Sequence, residues 1–235
     1  DIDQLYFSCV FLYKAHRMRK IFDKQRPVHM KEATITSIFP TPVYWSKLER
    51  PFSTKEQKYF KDHNDGTNLR ANVGNTASKN NYILNLPVFA SLKKELLNSV
   101  QDYFDRVVCA KNIKPWITQS WLNYTQPNQF HHQHAHPNAL VSGVFYINAD
   151  KENDRIKFYK REYERIKIEE VTSYNLHNSE SWWFSVESYD LILFPSSLTH
   201  AVEQKVGNNT RTSLAFNVFV KGRLGSNTSL TELKL

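Results

Sequence analysis

Cysteine is nearly absent: Cys9 and Cys109 are the two in 235 residues. That is too few for a disulfide scaffold, and the pair is wrongly spaced for a zinc knuckle, so a reducing, cytoplasmic setting is expected. Long apolar runs are missing as well. No stretch approaches the roughly 18 residues of a membrane span, and the run from Leu5 to Tyr13 lacks both a preceding basic region and a small-residue cleavage site. Clustered charge is the third absence. The formal charge is +8, but residues 1–29 carry six Lys/Arg against three Asp, and further on basic and acidic residues interleave, as in Lys160-Arg161-Glu162-Tyr163-Glu164-Arg165. Interleaving favours a solvated surface over a phosphate-binding one, so a nucleic-acid partner is not expected. There is no internal repeat and no low-complexity tract.

What is present is globular composition, 40% hydrophobic and 23% charged, enough for one sizeable domain. Residues 1–29 are basic, aromatic and without clear period, and read either as an N-terminal extension to a domain spanning 30–235 or as a helical arm packed on it. From Ala33 to Leu48 a β-branched and aromatic run broken by Pro40 and Pro42 suits an edge strand. Ser53 and Glu56 form a capping box for a short helix that Asp65-Gly66 ends. The polar stretch Asn68 to Asn81 reads as a loop able to fold over a site. Val88, Phe89, Leu92, Leu96, Leu97, Val100, Tyr103, Phe104, Val107 and Val108 recur every three or four residues, which predicts the main helix. Strands follow: Trp116–Thr125, Leu140–Asn148, Arg155–Tyr159, Ile166–Tyr174, Trp182–Ser185, Asp190–Phe194, Ala201–Lys205 and Thr212–Val220. Helices first and short strands afterwards predict an α+β protein whose C-terminal part is a jelly roll or small barrel backed by the N-terminal helices.

Four of nine histidines fall within six residues, in Gln129-Phe130-His131-His132-Gln133-His134-Ala135-His136-Pro137. In an extended segment His132, His134 and His136 share one face and His131 points the other way. Two neighbours on one face can chelate a metal, and imidazole suits iron, zinc, copper or nickel. Downstream, Asp190 to Phe194 reads as a buried strand, His200 opens the next, and Arg211 follows eleven residues later. Iron(II) that must bind a 2-oxo acid and O₂ needs three open cis positions, so a protein supplies three ligands on one face. The distal carboxylate of such a cosubstrate calls for a cation deep in the barrel. A guanidinium grips it in bidentate fashion; Arg211 is placed for this, and Ser213 faces the same way. Trp182 and Trp183 are candidates for a substrate platform or for buried strand aromatics.

Three segments carry a resemblance: Ser120-Trp121-Leu122-Asn123; His134-Ala135-His136-Pro137 with Leu140-Val141-Ser142-Gly143-Val144-Phe145-Tyr146; and Leu193-Phe194-Pro195-Ser196-Ser197-Leu198-Thr199-His200. Together with the opening Ile38-Phe39-Pro40-Thr41-Pro42-Val43, they resemble the 2-oxoglutarate/Fe(II) oxygenases of marine bacteria and cyanophages, within the prolyl-hydroxylase-like superfamily. The likeness covers roughly Met30 to Val220. It implies a double-stranded β-helix and hydroxylation of a small-molecule or peptidyl substrate with release of succinate and CO₂. The cofactors it implies are Fe(II), 2-oxoglutarate and O₂, with ascorbate as accessory reductant. It also places Tyr146 against the 2-oxoglutarate tail and suggests Asn123 as a further cosubstrate contact. One departure stands out: where the superfamily carries a carboxylate two residues after the first histidine, this chain has His136. A three-histidine centre of His134, His136 and His200 is the expected set, with the pair His132 and His134 as the alternative. Two rival readings stay open: a cupin-like three-histidine dioxygenase without 2-oxoglutarate, and a non-catalytic jelly-roll module that binds a metal or glycan. Substrate identity and oligomeric state are not legible, because specificity resides in loops such as Asn68 to Asn81 and Asn175 to Ser181.

Overall fold

A computed structural model describes residues 33–62, 66–160, 166, 168 and 170–235. The extension over residues 1–29 lies outside them. The chain divides into two units, Asp1–Pro40 and Thr41–Leu235. Of the first, residues 33–40 are exposed and carry no helix or strand. The second unit holds every element that follows.

Two antiparallel sheets dominate it. The larger runs in the order β1 (Tyr44–Lys47), β9 (Asp190–Pro195), β6 (Val141–Asn148), β11 (Arg211–Leu224), β4 (Ile113–Thr125), β3 (Thr76–Ser78) and β2 (Leu69–Ala71), with β12 (Leu233–Lys234) pairing the far end of β11. The smaller runs β5 (His131–His134), β10 (His200–Val202), β7 (Arg155–Tyr159) and β8 (Ser181–Ser185). The expected edge strand is real but short: the sequence holding Pro40 and Pro42 stays outside it, and among the described residues β1 pairs β9 alone.

Strand alternation divides the larger sheet into two faces with different tasks. Leu122, Leu214, Phe145 and Leu191 point one way, as do Ser120, Phe216, Gly143 and Leu193. This face meets α1 (Thr54–Asp62) and α2 (Ala90–Tyr103), and Leu92, Leu96 and Val100 of α2 are fully buried in the shared core. Burial of each such leucine stabilises by roughly 1.5–3 kcal/mol. Gly143 is required there, since a Cβ would run into the Phe216 ring. The opposite face carries Thr125 beside Arg211, then the rows Asn123–Ser213–Tyr146, Trp121–Ala215–Val144 and Gln119–Asn217–Ser142. Its apolar part joins Ile192 and Phe194 to Ile156 and Phe158 of the smaller sheet in a second core. The result is the jelly roll backed by helices that the order of elements predicts.

The capping box forms as expected: the Ser53 amide donates to Glu56 Oε2 at 2.8 Å and the Glu56 amide to Ser53 Oγ at 3.3 Å. α1 ends at Asp62, and Asp65 lies outside the described residues. α2 continues into a π-helical turn, Phe104–Val108, in which Val107 and Val108 are exposed, so the apolar stripe stops about a turn early.

Three expectations are corrected. Residues 68–81 are not an open loop but the β2–β3 hairpin, which pairs onto β4. No strand occupies the described part of residues 166–174; Ile166, Ile168 and Tyr174 are more than two-thirds exposed, so their alternation meets no buried face. The strand opening at His200 ends at Val202, where its pairing with β5 slips. Among the described residues, no helix is long and apolar enough to cross a membrane.

Candidate active site

The histidine cluster sits where the two sheets face each other. β5 is a short strand at the edge of the smaller sheet, and β10 sets His200 directly across from His134. His136 lies past the end of β5, where its amide donates to the Ser196 carbonyl at 2.9 Å, so the turn folds the ring back toward β11. Ring centroids are 4.3 Å apart for His134 and His200, 5.0 Å for His134 and His136, and 5.2 Å for His136 and His200. One nitrogen from each of these three lies within 4.8 Å of the others.

Hydrogen bonds decide which nitrogen each ring offers. His134 Nδ1 is 2.7 Å from the His132 carbonyl oxygen, His200 Nδ1 is 3.1 Å from that of Leu198, and His136 Nδ1 is 2.6 Å from Asn217 Oδ1. All three partners are acceptors, so each Nδ1 carries the proton and each Nε2 keeps its lone pair. Metal-binding imidazoles are oriented in this way. Burial outweighs the pull of these hydrogen bonds toward the charged ring, holding His134 down at about 4, His200 at about 3 and His136 below the usual imidazole range. The three rings are therefore neutral at pH 7.

A second group, His131, His132 and His134, also lies within 4.8 Å. This corrects the expected alternation: His131 does not point away, and its ring stacks on His134 at 4.6 Å. The pairing of β5 with β10 slips between these residues, which breaks the strict two-residue period. His131 Nε2 already accepts a hydrogen bond from Asn72 Nδ2 at 3.2 Å, and His132 Nδ1 is buried without a partner among the described residues. This group lacks the matched set of free Nε2 atoms found in the other.

Behind the three rings a narrow cavity runs between the sheets, lined by Trp121, Asn123, Ser142, Tyr146, Arg211 and Ser213 among others. Arg211 is 2% exposed; its Nη2 donates to Thr125 Oγ1 at 3.2 Å, while Nε and Nη1 have no partner among the described residues. Asn123 Oδ1 is likewise buried and unpartnered. Asp154 influences Arg211 but is engaged by buried Lys205 at 3.1 Å. Burial keeps the Tyr146 phenol protonated by pushing its pKa up. In front of the rings lies a broad cleft of about 840 Å³. Trp121, His131, His134 and His136 line both spaces, so the histidines stand at their junction.

Residues 119–217 match the family described as "Putative 2OG-Fe(II) oxygenase". Over this span, less than half of the chain, it is similar to the 2-oxoglutarate/Fe(II) oxygenases. The matched span contains His134, His136, His200, Arg211 and Asn217. HygX from Streptomyces hygroscopicus, solved with nickel, 2-oxoglutarate and hygromycin B bound, is 14% identical over 76% of this chain and 82% of its own, with a TM-score of 0.52, and shares the fold. A Pseudomonas putida prolyl-4-hydroxylase is 11% identical over 75% and 92% of the two chains, with a TM-score of 0.49. An oxidoreductase of the 2OG-Fe(II) oxygenase family from Burkholderia pseudomallei is 13% identical over 71% and 79%, with a TM-score of 0.48. No curated protein matches the chain in sequence. The enzyme is thus an oxidoreductase whose family uses Fe(II) and 2-oxoglutarate, with O₂ as the usual cosubstrate.

The residues present fit both groups. Three neutral Nε2 donors are a donor set that iron(II) accepts. The unpaired Arg211 donors are what a buried carboxylate satisfies. Of the site residues read from sequence, His134, His136, His200, Arg211, Ser213, Tyr146 and Asn123 line the inner cavity and His132 the outer cleft, while Trp182 and Trp183 do neither. Those two sit half-exposed on β8, with the Arg155 guanidinium 4.1 Å from the Trp183 ring, and line neither space.

Sequence reasoning missed Asn217, Ser142 and the hairpin residues Asn72 and Asn75. Asn217 is six residues beyond Arg211 on one strand, an even spacing that places it on the same face and was available as a signal. Ser142 Oγ donates to Asn217 Oδ1 at 3.2 Å and lies 2.9 Å from Ser196 Oγ, holding the amide for His136. Asn72 donates to Asn75, Asn75 to Thr125, and Thr125 receives Arg211, which links the hairpin tip to both His131 and Arg211. Gly74 makes the tip: its φ is +90° and a Cβ would lie 2.6 Å from the Phe130 carbonyl oxygen.

Proposed function

We propose that His134, His136 and His200 hold the iron of this oxygenase, that Arg211 with Ser213, Tyr146 and Asn123 receives 2-oxoglutarate, and that the enzyme hydroxylates a small-molecule or peptidyl substrate. One observation carries the reading: three histidines with free Nε2 atoms stand between a narrow cavity ending on a half-unpaired buried guanidinium and a broad open cleft. Cosubstrate inside and substrate outside would then meet at one metal. When bound, Fe(II) with 2-oxoglutarate and O₂ supplies the oxidation of a substrate C–H bond, with succinate and CO₂ released.

The chain's own residues prepare the site. Asn217, the His132 carbonyl and the Leu198 carbonyl lock the imidazole tautomers before a metal arrives, so ligation requires no ring flip. Arg211 and Ser213 orient the distal carboxylate, and the closed inner face of β4, β6 and β11 keeps water from it. A neutral third ligand in place of a carboxylate leaves a metal site one charge more positive, which favours a dianionic cosubstrate.

Anaerobic Fe(II) titration with 2-oxoglutarate tests this through the weak visible charge-transfer band of the chelate. The band is expected in the wild type, absent in His200→Ala, and shifted to much higher 2-oxoglutarate concentration in Arg211→Ala. Iron binding with no band at saturating 2-oxoglutarate refutes the cosubstrate assignment and favours a cupin-like centre.

A further inference from the structure

The outer cleft has a chemistry of its own. About 840 Å³ is within the usual range for a small-molecule site. Two cations border it, and each is fixed by a neutral amide: Arg70 Nη2 donates to Asn81 Oδ1 at 3.1 Å, and Lys93 Nζ to Asn85 Oδ1 at 2.8 Å. Neither forms an ion pair among the described residues, and no Asp or Glu is among the residues lining the cleft. An amide oxygen orients a cation without cancelling its charge, so both keep their attraction for an anion.

Aromatic surface lies beside them. Tyr82 is 50% and Trp116 40% exposed along the same cleft. Lys221 Nζ lies 5.1 Å from the Trp116 ring centre, a cation–π contact that can cover one face of the indole and leave the other. The rest of the polar lining is mainly imidazole and amide, the amides including Asn72, Gln119 and Asn138, which can both donate and accept.

We propose that this cleft binds a small anionic molecule bearing a flat ring, and that this molecule is the substrate of the oxygenase; the substrate part rests on the function proposed above. Arg70 and Lys93 hold the anionic group, Trp116 and Tyr82 pack on the ring, and the histidine-lined end of the cleft brings a C–H bond toward the metal position.

Adenosine 5′-monophosphate (AMP) serves as probe, with adenosine lacking the anion and ribose 5-phosphate lacking the base, each titrated calorimetrically into the metal-free full chain. AMP is expected to bind at least tenfold more tightly than either control. Arg70→Gln and Lys93→Gln should each weaken AMP about tenfold, or about 1.4 kcal/mol, and leave adenosine unchanged. Trp116→Ala should weaken AMP and adenosine but not ribose 5-phosphate. These side chains are exposed or half-buried, and thermal melts confirm that the variants fold. AMP that fails to bind, binds no better than adenosine, or ignores both charge substitutions overturns the inference. On protein loaded anaerobically with Fe(II) and 2-oxoglutarate, bound AMP should shift the visible band; binding with an unmoved band overturns the substrate assignment. The calorimetry needs no metal, so its failure is distinguishable from loss of the band itself, which refutes the proposed function instead.

Discussion

Replacing Arg211 with methionine should make the metal-free protein more stable and the enzyme almost unable to hold 2-oxoglutarate. The guanidinium is 2% exposed with two nitrogens unpartnered, and a buried charge without full compensation costs several kcal/mol. Against that gain, the substitution loses the hydrogen bond to Thr125, worth about 1 kcal/mol, and some attraction to Asp154. A net stabilisation of about 1–2 kcal/mol follows, which for a chain of this length raises Tm by roughly 2–8 °C. Cosubstrate binding moves the opposite way. Two charge-assisted hydrogen bonds at about 1.5–3 kcal/mol each are lost, so Kd for 2-oxoglutarate should rise at least about 100-fold. Differential scanning calorimetry of the metal-free chain measures the first effect, and anaerobic titration of the visible band the second. A structural arginine behaves differently: an Arg211→Met variant that melts several degrees lower and binds 2-oxoglutarate as wild type does refutes the reasoning.

Asn217→Ala removes the acceptor that fixes His136 and should weaken Fe(II) or Ni(II) binding about 10–100-fold, read by competition with a chromophoric chelator; unchanged affinity would show that the amide does not orient the ring. With His134 at about 4 and His200 at about 3, the unfolded metal-free chain takes up protons that the folded chain refuses as pH falls below 6.5. Stability should therefore decline from pH 6.5 toward 4, with His200 contributing on the order of 1.4 kcal/mol per pH unit. Urea midpoints across that range should show the slope, and His200→Ala should flatten it; equal slopes in the two proteins count against the burial argument. Gly143→Ala forces a methyl into the Phe216 ring and should destabilise the fold by about 1–3 kcal/mol, so a melting temperature equal to wild type would mean the ring moves freely.

By itself, the sequence determined the local elements and the order of the chemistry. The three- and four-residue spacing from Val88 to Phe104 marked α2, Ser53 and Glu56 marked the start of α1, and alternation marked β4, β6, β7, β9 and β11, because these signals depend on neighbours a few residues apart. The succession of clustered histidines, His200 and Arg211 was equally legible, since a metal and a 2-oxo acid demand particular donor types. Tertiary structure decided which histidines lie together. His131 turns toward the cluster because β5 slips against β10, a pairing between segments some 66 residues apart that no local period encodes. It also decided that Asn217 serves His136, that Thr125 anchors Arg211, and that the polar stretch around Asn72 is a hairpin docked on β4. Each of these depends on long-range strand register. A one-residue slip would turn every side chain of β11 to the other face, carrying Arg211 out of the cavity and Asn217 away from His136.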